Sequence, residues 1–340
     1  MPTKERRAVR LLISGLAGVL SIEALPAMQH PLHVEFEVTK SLSFEANRCT
    51  VRCYNLARQT RNLISGLPTP RRPLTNADRL ALANAVGTDP KSQAFTLQLS
   101  LMQLFAGFNE LSQQIFEGTI ESIRHSRPDN VTVVTTLDSG DGARVLRDGH
   151  ISRTYADGTP FLQMIQDTAR TLGVTVSLQT TAKLTQWFTD DLAGAMTSGS
   201  TTLHGNARDV LDELLNISAI LGSDEYVEKI SLGLESKVRW TIMDGELVVI
   251  GPRDMLAVPP VEVRKETGMV GRPELHDSGD ITVEMLLEPR MGPGVPVALH
   301  SRDVRGTFRC ESCRHFGDTG GGPFRTVAEL RPFDPTGVAA

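Results

Sequence analysis

Apolar and polar residues alternate with a period of two along much of this chain. Leu32, Val34, Phe36 and Val38 fall on one side while His33, Glu35, Glu37 and Thr39 fall on the other, which predicts a half-buried strand. Arg48–Tyr54 repeats the pattern, with Cys49, Val51 and Cys53 on one face, and Asn55 then opens a short helix, NLARQTRNLI. Strands resume at Phe95, where Phe95, Leu97, Leu99 and Leu101 share a face, and continue through Ile115–His125 and Val131–Leu137. Two more are expected near the N-terminus, Ala8–Ile13 and Gly18–Glu23, joined by a turn at Ser14–Gly15. Residues 1–142 thus supply seven strands and one helix, enough to close a small barrel or sandwich.

The period then changes. A strand at Ile151–Tyr155 precedes a helix from Pro160 to Leu172, with Thr159 as N-cap, Gly173 just past its end, and a strand at Val174–Leu178. A second unit follows the same plan: a strand at Thr201–His204, Asn206 as N-cap, a helix from Ala207 to Leu221, and Gly222. A hairpin of Val238–Met243 and Glu246–Ile250 across Asp244–Gly245 completes it. Val210, Leu211, Leu214, Ile217 and Leu221 form one stripe at helical spacing. Residues 143–260 are therefore expected to form an α+β domain of two helix-on-sheet units. From Val261 onward the chain is again strand and turn, punctuated by glycine and proline.

Two segments resist this reading. Pro68–Ser92 is rich in Pro, Asn and Asp around a short helix at Asn76–Ala85, so residues 66–92 are read as a loop insertion between strands. Lys4–Arg10 followed by LLISGLAGVLSIEALPA imitates a secretory signal, yet Glu23 interrupts the apolar run and Gly15 and Gly18 punctuate it. A hairpin is the expectation, with neither secretion by that route nor insertion in a membrane.

Length and composition narrow the function classes. A chain of 340 residues fits two or three domains, and 40% hydrophobic with 22% charged residues is the balance of a soluble globular protein. Aromatics are only 5%, so cores rest on Val, Leu and Ile. A net charge of −5 argues against specific nucleic-acid binding, which calls for a basic stripe interleaved with stacking aromatics.

Candidate chemistry is sparse. Cys310-x-x-Cys313-x-His315 has the look of a metal knuckle, but a zinc site needs four converging ligands and no second C-x-x-C pair exists. Strict alternation also throws the two cysteines to opposite faces unless a bulge intervenes, so two small strand residues are the expectation. Cys49 and Cys53 share a face but stand roughly 13 Å apart, too far to bond each other. Asp138–Gly142 resembles a fragment of a calcium loop and reads better as a strand-ending turn. No H-E-x-x-H helix or G-x-S-x-G elbow is present, and the acidic pairs Asp190–Asp191 and Asp224–Glu225 lie in polar loops. No catalytic, cofactor-binding or metal-binding residue is assigned, and the chain is not expected to be an enzyme.

Five weak motifs in order resemble the tail-hub, or baseplate-hub, proteins of contractile-tailed bacteriophages. They are Tyr54-Asn55-Leu56; the run Phe116, Gly118, Ile120, Ile123, His125; Gly158-Thr159-Pro160 opening a helix; Glu266-Thr267-Gly268 with Gly271, Pro273 and Glu274; and His315, Gly317, Asp318. Leu287, Pro289 and Gly292–Gly294 match a further turn in variant order. The resemblance spans residues 32–332 with gaps at 66–92 and 179–200. It implies an α+β, mainly β fold in which two tube-like β-barrel domains, 1–142 and 261–340, flank the α+β domain at 143–260. Residues 1–142 and 261–340 are then expected to superpose as two versions of one barrel, and their pairing into one continuous sheet would defeat the argument from duplication. It also implies a homotrimer in the virion tail baseplate, assembled in the bacterial host cytoplasm. Its partners would be the tail tube or tube-initiator protein, the central spike protein and the tape-measure protein. A hub of a tailocin-like injection particle, and a zinc-dependent cell-wall hydrolase using Cys310, Cys313 and His315, are the alternatives.

Overall fold

The computed structural model describes residues 7–15, 18–28, 30–42, 46–67, 100–109, 111–141, 146, 149–172, 174–177, 199–221, 239–243, 246–250 and 255–333. The helix expected at 76–85, the strand start at 95–99, and the glycines at 173 and 222 lie outside them.

Among the described residues seven strands precede residue 142: β1 (Arg7–Gly15), β2 (Gly18–Ala24), β3 (Val34–Ser41), β4 (Asn47–Tyr54), β5 (Leu101–Phe108), β6 (Leu111–Ser126) and β7 (Val134–Asp141). The expected alternation holds, since Val34, Phe36 and Val38 on β3 and Cys49, Val51 and Cys53 on β4 are all buried. Helix α1 (Arg58–Ser65) starts three residues later than its sequence suggests. Asn55 adopts a left-handed φ of 53°, and its side chain accepts the Val133 N–H while its own N–H bonds the Val133 carbonyl. Asp138–Asp141 is strand rather than turn, pairing with β4 on one side and β6 on the other.

The middle region holds β8 (His150–Tyr155), α2 (Phe161–Thr171), β9 (Thr175–Ser177), β10 (Thr201–Asn206), α3 (Ala207–Leu221), β11 (Arg239–Met243) and β12 (Glu246–Ile250). Both helices stand where their periodicity places them. Asn206 caps α3 by accepting the Arg208 N–H at 2.9 Å, whereas the N-cap of α2 is Pro160 rather than Thr159. The two expected units are not independent. Their strands interleave, β8 pairing with β10 and β9 running parallel to β12, so each half borrows its partner strand from the other.

After Val261 come β13 (Val261–Arg264), β14 (Met269–Leu275), β15 (Ile281–Leu286), β16 (Pro296–His300), β17 (Arg305–Asp318) and β18 (Phe324–Pro332). These strands pair with the N-terminal ones into one continuous sheet, which corrects the expectation of two barrels and defeats the argument for duplication drawn from two separate β regions. One thirteen-stranded sheet runs β14-β15-β18-β17-β3-β4-β7-β6-β5-β1-β2, with β16 and β13 branching from β17. The cause is the length of β17: its first half pairs with β16 and its second half, on the same side, with β3. Among the described residues the sheet does not close on itself.

Three hydrophobic clusters underlie this architecture, one beneath β1–β7, one between α2, α3 and the small sheets, and one beneath β13–β18. Strand β12 joins the last two, because Leu247 and Val249 face the middle cluster while Val248 and Ile250 face the C-terminal one. No helix among the described residues is long and apolar enough to cross a membrane.

Candidate functional site

A dense polar arrangement lies on the seam between β3 and β17, where residues nearly three hundred positions apart in the chain pair directly. Seven register pairs join the strands, from Ser312 opposite Ser41 to Asp318 opposite Glu35. On the solvent face Arg314 reaches Glu37 at 2.5 Å and Arg52 approaches Glu35 at 3.5 Å. The Tyr54 hydroxyl donates to Glu35 at 2.9 Å, and the Tyr54 ring stacks on His33 with centroids 4.1 Å apart. Burial, with the Glu35 hydrogen bond adding to it, pushes the Tyr54 phenol above its ordinary range. His33 Nε2 contacts Asp318 at 2.8 Å, and the Asp318 carboxylate also accepts the Gly320 and Gly322 N–H groups at 2.6 and 2.9 Å. Above this ladder lies an open groove of about 270 Å³ lined by Glu35, Glu37, Arg52, Phe316 and Asp318 among others.

His33, Glu35 and Asp318 bring ligand atoms within 4.8 Å of one another, a spacing that suits a cation. Protein groups already occupy them: Asp318 takes two backbone N–H donors, Glu35 takes the tyrosine hydroxyl, and His33 is stacked and paired. The trio acts as the lock that fixes the chain after β17 against the start of β3. Thr319 completes it, its hydroxyl accepting the Val34 N–H at 2.8 Å and donating to the Leu32 carbonyl at 2.9 Å.

Beneath the seam Gly317 sits opposite Phe36, whose ring meets Phe324 edge-on at 5.9 Å. Phe324 in turn meets Phe108 at 5.2 Å and lies under the Arg7 guanidinium. Residues of β1, β3, β5, β17 and β18 thus converge at one end of the seam.

The structure places Cys310, Cys313 and His315 differently from strict alternation. The register between β17 and β18 shifts between Cys310 and Ser312, leaving Glu311 as the extra residue of a bulge. That extra residue returns Cys313 to the face of Cys310, and both cysteines and His315 are buried. The Cys310 thiol is held above its ordinary range by its bond to Cys313 and by burial, while that bond and His315 hold Cys313 below. His315 spans Cys313 at 3.5 Å and the Thr326 hydroxyl at 2.9 Å. The remaining cysteines are buried as expected, with thiols raised by desolvation, Cys53 to about 12. Glu311, at the bulge, binds Arg309 at 2.6 Å and Arg239 of the middle region at 2.5 Å.

This bulge has a counterpart that reading single motifs missed. The run Glu311-Ser312-Cys313-Arg314-His315 reappears as Glu121-Ser122-Ile123-Arg124-His125 on β6, and the register between β6 and β7 shifts there too, between Ile120 and Ser122. The cross-strand chemistry is the same in both. Ser122 donates to Asp138 at 2.6 Å and Ser312 to Glu329 at 2.8 Å; His125 bonds Thr135 at 3.0 Å and His315 bonds Thr326 at 2.9 Å. The order β3-β4-β7-β6-β5 matches β14-β15-β18-β17-β16, antiparallel at every step. The units differ beyond that point, since β1 is antiparallel to β5 and β13 parallel to β16. The repeated E-S-x-R-H is the sequence signal that finds this relation.

No protein-family model matches the chain, and no curated protein sequence matches it. Solved structures do. A tail protein from Neisseria meningitidis MC58 matches with a TM-score of 0.54 at 12% identity, over 96% of each chain. The 43 kDa tail protein of prophage MuSo2 from Shewanella oneidensis matches at 0.52 and 10% identity, over 94% of this chain and 97% of that one. A chain of the half-lidded Francisella PdpA–VgrG complex matches at 0.50 and 7% identity, over 98% of this chain and 59% of that one. The chain has the fold of phage tail proteins.

Proposed function

We propose that this chain is a structural subunit of a phage tail, a homotrimeric baseplate hub that joins a six-fold tail tube to a three-fold central spike. The observation that carries this reading is the matched pair of five-stranded units, each built on a long bulged strand with the same E-S-x-R-H chemistry. Three copies of a chain holding two similar units present six similar units in a ring, so one assembly meets six-fold symmetry on one side and three-fold symmetry on the other. The partners on this reading are the tail tube or tube-initiator protein, the spike and the tape-measure protein. The site of assembly is the host cytoplasm, and the destination is the baseplate of the virion.

The polar face of the sheet suits a wall past which DNA travels without being held. Its charges are matched in pairs, Arg124 with Asp138, Arg314 with Glu37, Arg325 with Glu284 and Arg331 with Asp280. Such pairing balances basic charge that would otherwise condense phosphate. The same ring in a tailocin-like particle needs no different chemistry.

A zinc-dependent hydrolase is the less supported reading. Cys310, Cys313 and His315 are 0%, 1% and 0% exposed, so neither glycan nor peptide reaches them. Light scattering on the purified chain tests the hub: a trimer supports it, and a chain that stays monomeric when purified and within the particle overturns it.

A further inference from the structure

The small sheet of β8 and β10 has two unlike faces. On the inner side Ile151 and Tyr155 are buried in the middle cluster. By alternation the other side presents His150, Ser152 and Thr154 from β8 and Thr202, His204 and Asn206 from β10, all polar and none of them Asp, Glu, Lys or Arg. All but Asn206 are exposed. The hub reading gives this face no task.

Register brings its two imidazoles together. His204 lies opposite Ser152 and His150 opposite Asn206, so the histidines are diagonal neighbours on adjacent strands, where long or aromatic side chains reach one another. Their ring centroids are 4.9 Å apart with the planes at 86°. An imidazole nitrogen binds Zn²⁺ at about 2.0–2.1 Å, which places each ring centre about 3 Å from the ion, so two rings on one tetrahedral ion stand about 5 Å apart. The pair therefore already has the separation that shared coordination needs. A serine supports one ring from behind, with Ser152 Oγ 3.4 Å from His204 Nδ1. When Nδ1 carries the proton toward that hydroxyl, Nε2 carries the lone pair that a metal takes. Thr154 and Thr202 continue the cross-strand contact, their hydroxyls 3.0 Å apart. Asn206 is not a ligand in this arrangement, because its side-chain oxygen accepts the Arg208 N–H.

We propose that His150 and His204 form a binding site for a divalent transition-metal ion, with water filling its remaining positions. The ligands select the class of ion. Two neutral imidazoles suit Zn²⁺, Ni²⁺ or Cu²⁺, whereas Mg²⁺ and Ca²⁺ call for oxygen ligands. The site differs in kind from Cys310, Cys313 and His315, which are buried, and from His33, Glu35 and Asp318, whose ligand atoms are taken by protein groups. Bound there, the ion staples β8 to β10, two strands separated in the chain by α2 and β9, and its binding free energy adds to the stability of the middle region. This site and the hub reading stand independently of each other.

Isothermal titration of the full-length chain with Zn²⁺, after dialysis against a chelator, tests the site. An ion bound per chain is expected whose affinity falls roughly tenfold or more in His150→Ala and again in His204→Ala. His33→Ala, which disturbs the trio at the seam, should leave that binding in place. Ser152→Ala should weaken it by a smaller factor, and Ser152→Thr, which keeps the hydroxyl, should restore it; equal affinities in those two variants would remove the positioning role of this serine. The substituted positions are exposed, so the fold is expected to survive, and Zn²⁺ should raise the unfolding temperature of the wild-type chain more than that of His204→Ala. Unchanged affinity in both histidine variants, or no binding to the wild-type chain at millimolar Zn²⁺, overturns the site and leaves the hub reading untouched.

Discussion

Gly317 lies directly opposite Phe36 across the β3–β17 seam, and a Cβ built on it would stand 1.9 Å from the Phe36 ring. The ring cannot retreat freely, because Phe36 packs edge-on against Phe324 and is 5% exposed. Gly317→Ala should therefore destabilise the chain by about 1–3 kcal/mol through overpacking, read from the midpoint of chemical denaturation. Combining it with Phe36→Leu should recover part of that loss; equal destabilisation with and without the smaller side chain would place the strain elsewhere.

Acid should weaken the C-terminal unit. Burial opposes ionisation of Glu288 and Asp280, yet Arg290 beside Glu288 and Arg331 beside Asp280 outweigh it and hold both carboxyls below the usual range. A carboxyl depressed in the folded state adds stability that is complete above its unfolded pKa and disappears as pH falls through its folded one. Denaturation midpoints are therefore expected to drop on acidification below the ordinary carboxylate range. Arg290→Gln and Arg331→Gln should each lower stability near neutrality and flatten that drop, and an unchanged pH slope in both would contradict the assignment.

Cys310 and Cys313 are packing residues on this account. Replacing both with Ala, or both with Ser, should preserve the trimer at a modest cost in stability, the serine hydroxyls meeting the Ser312 and Met291 carbonyls that the thiols already use. Metal analysis of the purified chain checks the alternative directly. Stoichiometric zinc in the wild-type chain that is lost from the serine variant would restore the metal reading.

Much of the fold was legible because burial on one face writes a period of two, as in Val34, Phe36 and Val38, and a period near 3.6 where α2 and α3 pack. What escaped was long-range pairing. Alternation says which face of β17 is buried but not that its second half has room for β3, so two barrels were expected where one sheet forms. The bulge at Glu311 was invisible for a related reason: one extra residue leaves no composition signal, although its duplicate at Glu121 does leave a sequence repeat. Asn55 shows a third limit, since its left-handed backbone and its bonds to Val133 delay a helix that local periodicity starts at once. At the seam, the ties among His33, Glu35, Tyr54 and Asp318 depend on strands far apart in sequence.

The most direct test of the central claim is the mass of the full-length assembly, by light scattering or native mass spectrometry over a range of concentrations. The account predicts a closed species of three times the 37.1 kDa chain mass, with no larger polymer as concentration rises, because a ring of three-fold symmetry is closed. A stable monomer across that range and within the particle, or open-ended growth beyond three copies, would contradict it.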